Sequence, residues 1–306
     1  MRAVVFDSFG PPEVLQLREI AAPTPEPGEV LIRVHAASVT KFDCWVRSNT
    51  APPGFDLLLK LVSGRKPKQP ILGTELSGEV AALGEGVTGF NIGEAVCGYT
   101  TRNLGSYAEY IRLPRAAVVA KPTNLSFEQA AVIFQGGLTA LYFLRLARIQ
   151  PGQKVLVFGA SGGVGSYAIQ LARRHFGAHV TGVCSGSKMD YVRSLGADEV
   201  MDYARDDFPR KDVLYDVIFD TVGRTAIARA RRVLAPEGTY LLATFSLAML
   251  GQMLWYGRFS RQNYKFGVLK ETNEDLLEMR NLVEAGTILP VIDRIFPLEA
   301  AAEAQR

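Results

Sequence analysis

The clearest fold signal in the chain lies in Val155-Leu156-Val157-Phe158-Gly159-Ala160-Ser161-Gly162-Gly163-Val164-Gly165. Its four apolar residues predict a buried strand, and its glycines predict a tight turn. The residues that follow, from Val164 to Phe176, predict an amphipathic helix. A strand that passes through a glycine turn into a helix is typical of the first unit of a doubly wound parallel sheet.

The glycines of this turn have the spacing of a dinucleotide-binding site. Ala160-x-Gly162-x-x-Gly165 matches the glycine pattern of such sites, with alanine at its first position. Gly162 would let the backbone approach a pyrophosphate, Gly165 would let the helix pack against the strand, and the helix N-terminus would face the phosphates. The alternative is a glycine-rich turn without a ligand, which the strand–turn–helix context disfavours. The predicted cofactor contacts are Ala160, Ser161, Gly162, Gly163, Val164 and Gly165.

The next strand ends in a polar segment that bears on the choice of cofactor. An NAD site usually has an acid there, ~20 residues after the glycines, which holds the ribose 2′-hydroxyl. This chain has Ser185-Gly186-Ser187-Lys188 instead. Nothing in that segment repels a 2′-phosphate, and Lys188 with the two hydroxyls could bind one, so NADPH is favoured over NADH. The alternative for Lys188 is a solvated residue in the first turn of a helix.

Two different sequence patterns along the chain predict an α/β protein with two domains. As far as about Lys121, short β-like runs alternate with Gly- and Pro-rich turns, which indicates a compact β-rich domain. Beyond Leu125, near-continuous apolar strands alternate with helices, which indicates a parallel sheet covered on both faces. Ser126 and Gln129 fit a capping box at the first of these helices. The other main elements are expected as strands at 155–158, 180–184, 217–220 and 239–242 and helices at 138–147, 164–176, 188–195 and 273–284.

Composition weighs against several classes of function. The 306 residues carry 34 basic and 31 acidic side chains, a net charge of +3, which gives no case for nucleic acid as a partner. No run reaches the ~18 apolar residues of a membrane helix, and Met1–Phe6 reads as a strand rather than a secretory signal. Cys44, Cys97 and Cys184 are widely spaced and odd in number, which suggests free thiols in a reducing compartment. These observations predict a cytoplasmic protein.

Further motifs, taken together with the glycine turn, connect the chain with a known family. In order they are Gly28-Glu29-Val30-Leu31-Ile32-Arg33-Val34, Ala37-Ser38-Val39-Thr40-x-x-Asp43, Leu72-Gly73-Thr74-Glu75-Leu76-Ser77-Gly78-Glu79-Val80, Gly105-Ser106-Tyr107-Ala108-Glu109-Tyr110, Gly137-Leu138-Thr139-Ala140 and Leu195-Gly196-Ala197-Asp198. Each motif is weak alone, but their order along nearly the whole chain is highly specific. The chain resembles the medium-chain dehydrogenase/reductase superfamily, specifically its zinc-free NADPH:quinone oxidoreductase branch, the zeta-crystallin-like proteins.

The resemblance implies a domain arrangement and an assembly. It implies a GroES-like catalytic domain, built from residues 1–121 and 271–306, around an inserted Rossmann domain of residues 122–270. It also implies NADPH in the cleft and usually a homodimer. Relatives continue past the end of this chain through about one more strand, which often supplies a basic cofactor contact.

The resemblance also assigns individual residues to the two ends of the cofactor. Ser185, Lys188 and Tyr203 match positions that hold the adenosine phosphate, and Thr139 matches a residue at the nicotinamide end. Zinc-dependent relatives carry a histidine where this chain has Thr74, together with a lobe of four closely spaced cysteines that this sequence lacks. The chain is therefore predicted to bind no metal. The histidines, which show no metal-ligand spacing and are expected to be structural, are His35, His175 and His179.

A site without zinc favours reduction of a conjugated acceptor. Direct alcohol oxidation would lack its Lewis acid. By contrast, hydride from nicotinamide C4 can reach a quinone ring or a β carbon, and hydrogen bonds with a solvent proton complete the reduction. We predict that Thr40, Trp45 and Thr139 line the substrate slot; many relatives have Asn and Tyr at the first two positions, and Trp45 could instead be core packing. Tyr107 could donate a proton or be structural, and Asp43 is expected to hold backbone near the slot rather than act as a base.

Two other functions stay open at this point. One is an alcohol or aldehyde dehydrogenase of the same fold, and the other is a non-enzymatic cofactor-binding or RNA-binding role. The near-neutral charge argues against RNA, and the complete cofactor turn argues for catalysis. We expect the substrate to be a small lipophilic quinone or carbonyl compound.

Two apolar segments stand outside this chemistry. Phe55–Lys68 could form a lid over a lipophilic substrate, make peripheral contact with an anionic membrane through its basic residues, or be a short helix buried in its own domain. Leu247–Tyr256 is expected near the cleft or the dimer interface.

Overall fold

Two main β-sheets organise the computed structural model, which describes residues 1–50, 64, 66–205, 213–223, 225 and 227–306. The described strands are β1 (Arg2–Val5), β2 (Gln16–Glu19), β3 (Glu29–Ala37), β4 (Glu75–Leu83), β5 (Ala95–Tyr99), β6 (Tyr110–Pro114), β7 (Val118–Ala120), β8 (Lys154–Phe158), β9 (His179–Cys184), β10 (Glu199–Asp202), β11 (Tyr215–Asp220), β12 (Leu234–Leu242) and β13 (Asn263–Phe266). The described α-helices are α1 (Lys41–Ser48), α2 (Phe127–Ala130), α3 (Gln135–Ala147), α4 (Gly163–Gln170), α5 (Met189–Ser194), α6 (Ile227–Ala230), α7 (Leu247–Phe259), α8 (Asn273–Glu284) and α9 (Ala301–Ala304).

The second half of the chain contains a six-stranded parallel sheet with the order β10-β9-β8-β11-β12-β13. Side chains of β8 alternate between two apolar clusters, because successive residues of a strand point to opposite faces. Val155 and Val157 pack in the cluster that includes residues of α3 and α4. Leu156 and Phe158 pack in the cluster that includes residues of α6 and α7. Both faces are therefore buried, and the predicted doubly wound Rossmann sheet is confirmed.

The first half forms a five-stranded antiparallel sheet with the order β6-β3-β4-β5-β7, beside the short antiparallel pair of β1 and β2. Val30 and Ile32 from β3 and Val80 from β4 belong to its buried apolar cluster. Alternate residues of these strands face this cluster, whereas Cys97 and Tyr99 of β5 and Val119 of β7 are buried in the apolar cluster of the parallel sheet. This sheet is the predicted β-rich, GroES-like domain.

The last part of the chain contacts both halves. Met279 and Val283 of α8 are buried in an apolar cluster of the parallel sheet. Ala301 of α9 instead packs with Val4 and Phe6 near the start of the chain. The division of the chain at residues 121 and 271 stays a prediction.

Helix boundaries follow the sequence where the local signal is strong. Ser126 Oγ accepts from Gln129 N, and Ser126 N donates to Gln129 Oε1, so the capping box is formed at α2. The bounds of α8 are those expected. The helix expected over 164–176 is α-helical in its first part and continues as a π-helical turn, Leu171–His175. Among the described residues, the stretch Phe127–Ala147, which contains α2 and α3, is long and apolar enough to cross a membrane, but 61% of its most apolar window is buried, as in the core of a folded domain.

A buried carboxylate joins the two halves of the fold. Glu75 begins β4 and is 2% exposed, and its Oε2 accepts from the N–H groups of Phe134 and Gln135 at 2.9 Å each. These donors lie at the start of α3, where backbone N–H groups have no partner inside the helix. Burial raises the pKa of Glu75 to about 7, although the hydrogen bonds from the N–H groups of Gln135 and Phe134 favour the ionised form.

Glu75→Gln should remove part of the pH dependence of stability. The folded protein holds the Glu75 proton up to about pH 7, whereas the unfolded chain releases it near the ordinary pKa of 4.5. Between pH 5 and pH 8 the free energy of unfolding of the wild type should therefore fall by roughly 2–3 kcal/mol relative to that of the variant. Urea unfolding at both pH values measures this difference.

The control for this comparison is Glu79→Gln. Glu79 lies on the same strand but is partly exposed, and its pKa is lowered by the hydrogen bond from Arg33. This variant should show no such relative fall. Parallel pH profiles for wild type and Glu75→Gln would contradict the account of a buried, protonated carboxyl group.

Candidate active site

The glycine turn presents open backbone at the start of α4. Gly162 is the N-cap residue and Gly163 the first residue of this helix, and both are exposed. A Cβ atom on Gly163 would meet no atom within 4 Å, and one on Gly162 would meet only the Gly159 carbonyl oxygen, at 3.3 Å. The N–H groups of the first turn have no partner inside the helix. This open, donor-rich surface fits a pyrophosphate group.

The other two positions of the glycine pattern are closely packed. A Cβ atom on Gly165 would lie 2.0 Å from the Gly159 carbonyl oxygen, so only glycine lets α4 approach the turn this closely. Ala160 is fully buried, and its N–H donates to Val183 O in β9 at 3.0 Å. Its methyl group fits beside Gly182, which explains why alanine is accommodated where the pattern has glycine.

A pocket of about 660 Å³ lies where β9 and β10 end. It is lined by Ser185, Gly186, Ser187, Met189, Asp202, Tyr203, Ala204 and Arg205. Ser185 and Tyr203, both predicted phosphate contacts, are therefore brought together. The Lys188 side chain is exposed and is not part of this lining, so its contact with a phosphate stays a prediction.

Arg205 is a pocket residue that sequence reasoning missed. Its side chain is 88% exposed, and its Nε lies 3.8 Å from Asp202 Oδ2. Asp202 is 6% exposed, and its Oδ1 accepts from Ala204 N at 3.0 Å, so the acid is held against the turn. A guanidinium group binds phosphate through paired hydrogen bonds. Arg205 is thus a candidate partner for a 2′-phosphate, and its only sequence signal is its place two residues after Tyr203.

The predicted slot residues Thr40 and Trp45 lie on α1, where Thr40 is the N-cap residue. Asp43 is fully buried, and its Oδ2 accepts from Thr40 N at 2.8 Å and from Thr40 Oγ1 at 2.7 Å. Its Oδ1 accepts from Gly73 N at 3.1 Å, so Asp43 does hold backbone. Burial raises the pKa of Asp43 to about 6, although the hydrogen bonds from Thr40 and Gly73 favour the ionised form. Trp45 is half-buried, with the Lys41 ammonium 6.0 Å from its ring centre.

One segment connects α1, α3 and the glycine turn. Gly73 binds Asp43 of α1, and Glu75, two residues later, binds the start of α3. Gly136 is the next residue of α3, and a Cβ atom on it would lie 2.5 Å from the Gly163 carbonyl oxygen, so α3 packs directly on the glycine turn. Thr139 follows on α3, half-buried, with its Oγ1 donating to Gln135 O at 2.7 Å. The candidate substrate and cofactor elements therefore share one scaffold.

Thr74, which stands where zinc-dependent relatives have a histidine ligand, does not fit zinc. Thr74 is 2% exposed, and its hydroxyl has no hydrogen-bond partner among the described residues. Zinc is held by thiolate, imidazole and carboxylate groups rather than by such a hydroxyl. No three His, Cys, Asp or Glu side chains in the described ranges are grouped so as to hold a metal ion. His35 stacks on Phe127 with ring centres 4.3 Å apart, which is a packing role.

Tyr107 is placed poorly for proton donation. It is 3% exposed, and burial together with the nearby charge of Asp43 holds its pKa well above the ordinary value. The segment Phe55–Lys68 lies outside the described residues except for Gly64 and residues 66–68. Its three interpretations therefore stay predictions.

Comparisons with known proteins agree with this architecture. Residues 26–123 match the family described as alcohol dehydrogenase GroES-like domain, and residues 195–306 match the family described as zinc-binding dehydrogenase. A quinone oxidoreductase from Pseudomonas aeruginosa is 33% identical, over 99% of this chain and 94% of that protein. The 2-methylene-furan-3-one reductase of Solanum lycopersicum is 30% identical, over 96% of this chain and 71% of that protein. The structure of Escherichia coli quinone oxidoreductase complexed with NADPH matches with a TM-score of 0.84 at 27% identity, over 100% and 95% of the two chains.

A GroES-like domain beside a Rossmann domain with an open glycine turn defines a pyridine-nucleotide-dependent oxidoreductase. The chain belongs to the medium-chain dehydrogenase/reductase superfamily, within its quinone oxidoreductase branch. The family and fold class expected from the sequence are thus confirmed.

Gly162→Val should abolish NADPH binding without unfolding the protein. Gly162 has φ −85°, which valine readily adopts, and its nearest neighbour lies 3.3 Å from the Cβ position. The branched side chain would instead fill the space in front of the helix N-terminus, where a pyrophosphate must approach. Fluorescence titration with NADPH measures the loss, and circular dichroism checks the fold. Gly251→Val, at an exposed site of α7 with no atom within 4 Å of the Cβ position, is the matched control. A folded Gly162→Val variant that binds NADPH normally would place the cofactor elsewhere.

Proposed function

We propose that this protein is an NADPH-dependent reductase of quinones or α,β-unsaturated carbonyl compounds. The observation that carries the proposal is the close contact of Gly136 in α3 with Gly163 in the glycine turn. It sets the open turn against the helix that bears Thr139, while Glu75 ties the start of that helix to β4. The names of two relatives, a quinone oxidoreductase and a 2-methylene-furan-3-one reductase, support the substrate class.

The residues of this chain bind and orient the reactants. A bound reduced nicotinamide supplies the hydride. The first turn of α4 holds the pyrophosphate, and the pocket that contains Arg205 holds the adenosine end. Thr40, Trp45 and Thr139 line the slot and exclude water from the reacting carbon. At neutral pH the proton on the product oxygen comes from solvent.

An alcohol or aldehyde dehydrogenase of the same fold is the second candidate, favoured by the descriptions of the two matched families. Thr74 stands against it, because alcohol oxidation needs a Lewis acid and a threonine hydroxyl does not fit zinc. A conjugated acceptor needs no such activation. The substrate we propose is therefore a small lipophilic molecule with a quinone ring or an enone.

We also propose that the protein forms a homodimer through the outer edge of the parallel sheet. In the described part of the chain no strand pairs with the free side of β13. Beside it, α7 exposes Leu254, Trp255 and Phe259 at 72%, 65% and 70%. Contiguous apolar surface of this kind is typical of protein interfaces. The cytoplasmic location stays a prediction from the three free thiols.

Purified protein should consume NADPH with quinones and enones but not with saturated aldehydes. Loss of NADPH absorbance measures turnover across one panel of the three classes, and Gly162→Val is the inactive control. Turnover with saturated aldehydes alone would instead support the alcohol/aldehyde dehydrogenase function. Tight NADPH binding with no turnover of any class would support a non-enzymatic role.

Arg205→Ala should weaken NADPH binding by roughly tenfold to a hundredfold and leave NADH nearly unchanged. The 2′-phosphate carries nearly two negative charges, and a charge-assisted hydrogen bond contributes roughly 1.5–3 kcal/mol. Lys188→Ala tests the assignment made from the sequence in the same way, and Ser185→Asp should reverse the preference by repelling the phosphate. Titration of both cofactors at fixed salt measures each effect.

The control for these variants is Arg193→Ala, an arginine of α5 that is paired with Asp190 and does not line the pocket. It should leave both affinities unchanged. Equal losses of NADPH and NADH affinity in Arg205→Ala would show that Arg205 acts through folding or general charge. A wild-type preference for NADH would contradict the choice of NADPH.

A further inference from the structure

Both hydroxyl groups predicted for the slot donate their protons inward. Thr40 Oγ1 donates to Asp43 Oδ2, and Thr139 Oγ1 donates to Gln135 O, each at 2.7 Å. A hydroxyl group has a single proton and two lone pairs. In this arrangement each threonine therefore offers the slot only lone pairs, which cannot stabilise the oxygen of a carbonyl substrate.

The two acceptors differ in one respect. The Gln135 carbonyl accepts the Thr139 hydrogen bond at every pH, because it cannot be protonated under these conditions. Asp43 is a carboxyl group, which becomes a hydrogen-bond donor when it is protonated. Asp43 is fully buried, so no water replaces a missing partner. A proton on Asp43 Oδ2 would donate to Thr40 Oγ1, and the Thr40 proton would then be free to turn outward.

We propose that Asp43 sets the hydrogen-bonding polarity of Thr40. With Asp43 ionised, Thr40 accepts from the slot. With Asp43 protonated, Thr40 donates to the carbonyl oxygen of the substrate. This inference rests on the proposed function, because it takes Thr40 to face the substrate. Asp43 acts through Thr40 and is a positioning residue.

The protonated state completes the reduction of an enone with all atoms accounted for. Hydride from the reduced nicotinamide forms the new C–H bond at the β carbon, and the electron pair of the C=C bond shifts to leave the charge on oxygen. The Thr40 hydroxyl proton moves to that oxygen and gives an enol. The Asp43 proton moves to Thr40 Oγ1, and the Asp43 carboxylate regains a proton from solvent through the Thr40 hydroxyl after the product has left. The enol becomes the ketone in water.

Other titratable groups surround Asp43. They are Cys44 and Arg47 on its own helix, Glu75 on β4, Tyr99 on β5, and Tyr107. Burial raises the pKa of the Cys44 thiol and of both tyrosines, so these groups stay neutral near pH 7. Arg47 donates to Gln305 Oε1 at 2.6 Å and to Gly10 O at 2.9 Å. Between pH 5 and pH 8, Glu75 is therefore the one member of this set besides Asp43 that changes charge.

The first test is the pH profile of kcat for an enone at saturating NADPH. Wild-type kcat should fall about tenfold from pH 5 to pH 8, because ionisation of Asp43 removes the hydrogen bond from Thr40 to the developing oxyanion. One such hydrogen bond changes a rate by about tenfold. Whatever its absolute rate, Thr40→Val should lose the pH dependence of kcat, and Thr40→Ser should keep it. Glu75→Gln should also keep it, which separates Asp43 from Glu75. The same fall in wild type and Thr40→Val would overturn the proposal.

A second test needs no turnover. Difference infrared spectra of the ligand-free protein report the protonated carboxyl group, with Asp43→Asn to assign its band and a Glu75→Gln background to remove that of Glu75. The pH at which the intensity of this band is half lost should be higher in Thr40→Val, because the Asp43 carboxylate loses a hydrogen-bond donor and its pKa rises. An unchanged midpoint would overturn the coupling. Failure of the wild type to reduce any quinone or enone would instead defeat the proposed function, while the pH midpoint of the infrared band still decides whether Asp43 and Thr40 are coupled.

Discussion

The arrangement of the site depends on the buried carboxylate of Glu75. Its two hydrogen bonds fix the start of α3 to the first residue of β4 and so join the two halves of the chain. Burying a carboxyl group is unfavourable, but unpaired backbone donors and the positive end of the helix dipole offset that cost. Gly73, on the same segment, holds Asp43 of α1, and Gly136 of α3 touches the glycine turn. Contacts of this one segment and of α3 therefore link α1 to the glycine turn.

The glycine turn and the slot meet opposite requirements. The turn must offer backbone donors to an anion, so Gly162 and Gly163 face open space. The proposed slot must keep water from the reacting carbon, and Thr40, which we assign to it, donates its proton inward to Asp43. A slot that presents few donors suits substrates whose conjugation already makes them electrophilic. The proposed preference for quinones and enones over simple alcohols and aldehydes follows from this property.

Most of the fold could be predicted from local patterns, because glycine spacing, strand alternation and capping boxes each depend on a few neighbouring residues. The presence of Arg205 in the pocket was not predictable, since the ends of β9 and β10 meet only in the folded sheet. The pairing of Thr40 with Asp43 has the spacing of a capping box and was within reach of the sequence. The complete burial of Asp43 was not, because it depends on residues from distant segments such as Gly73.

We propose that the site formed by α1, α3 and the glycine turn transfers hydride from NADPH to a conjugated acceptor. Reduction of an enone with NADPH deuterated on each face of C4 in turn reports this transfer. One of the two labelled cofactors should place a single deuterium on the β carbon of the product, as read by NMR and mass spectrometry, and the other should place none. Deuterium on the carbonyl carbon, or a reduced product without label from either cofactor, would contradict the account.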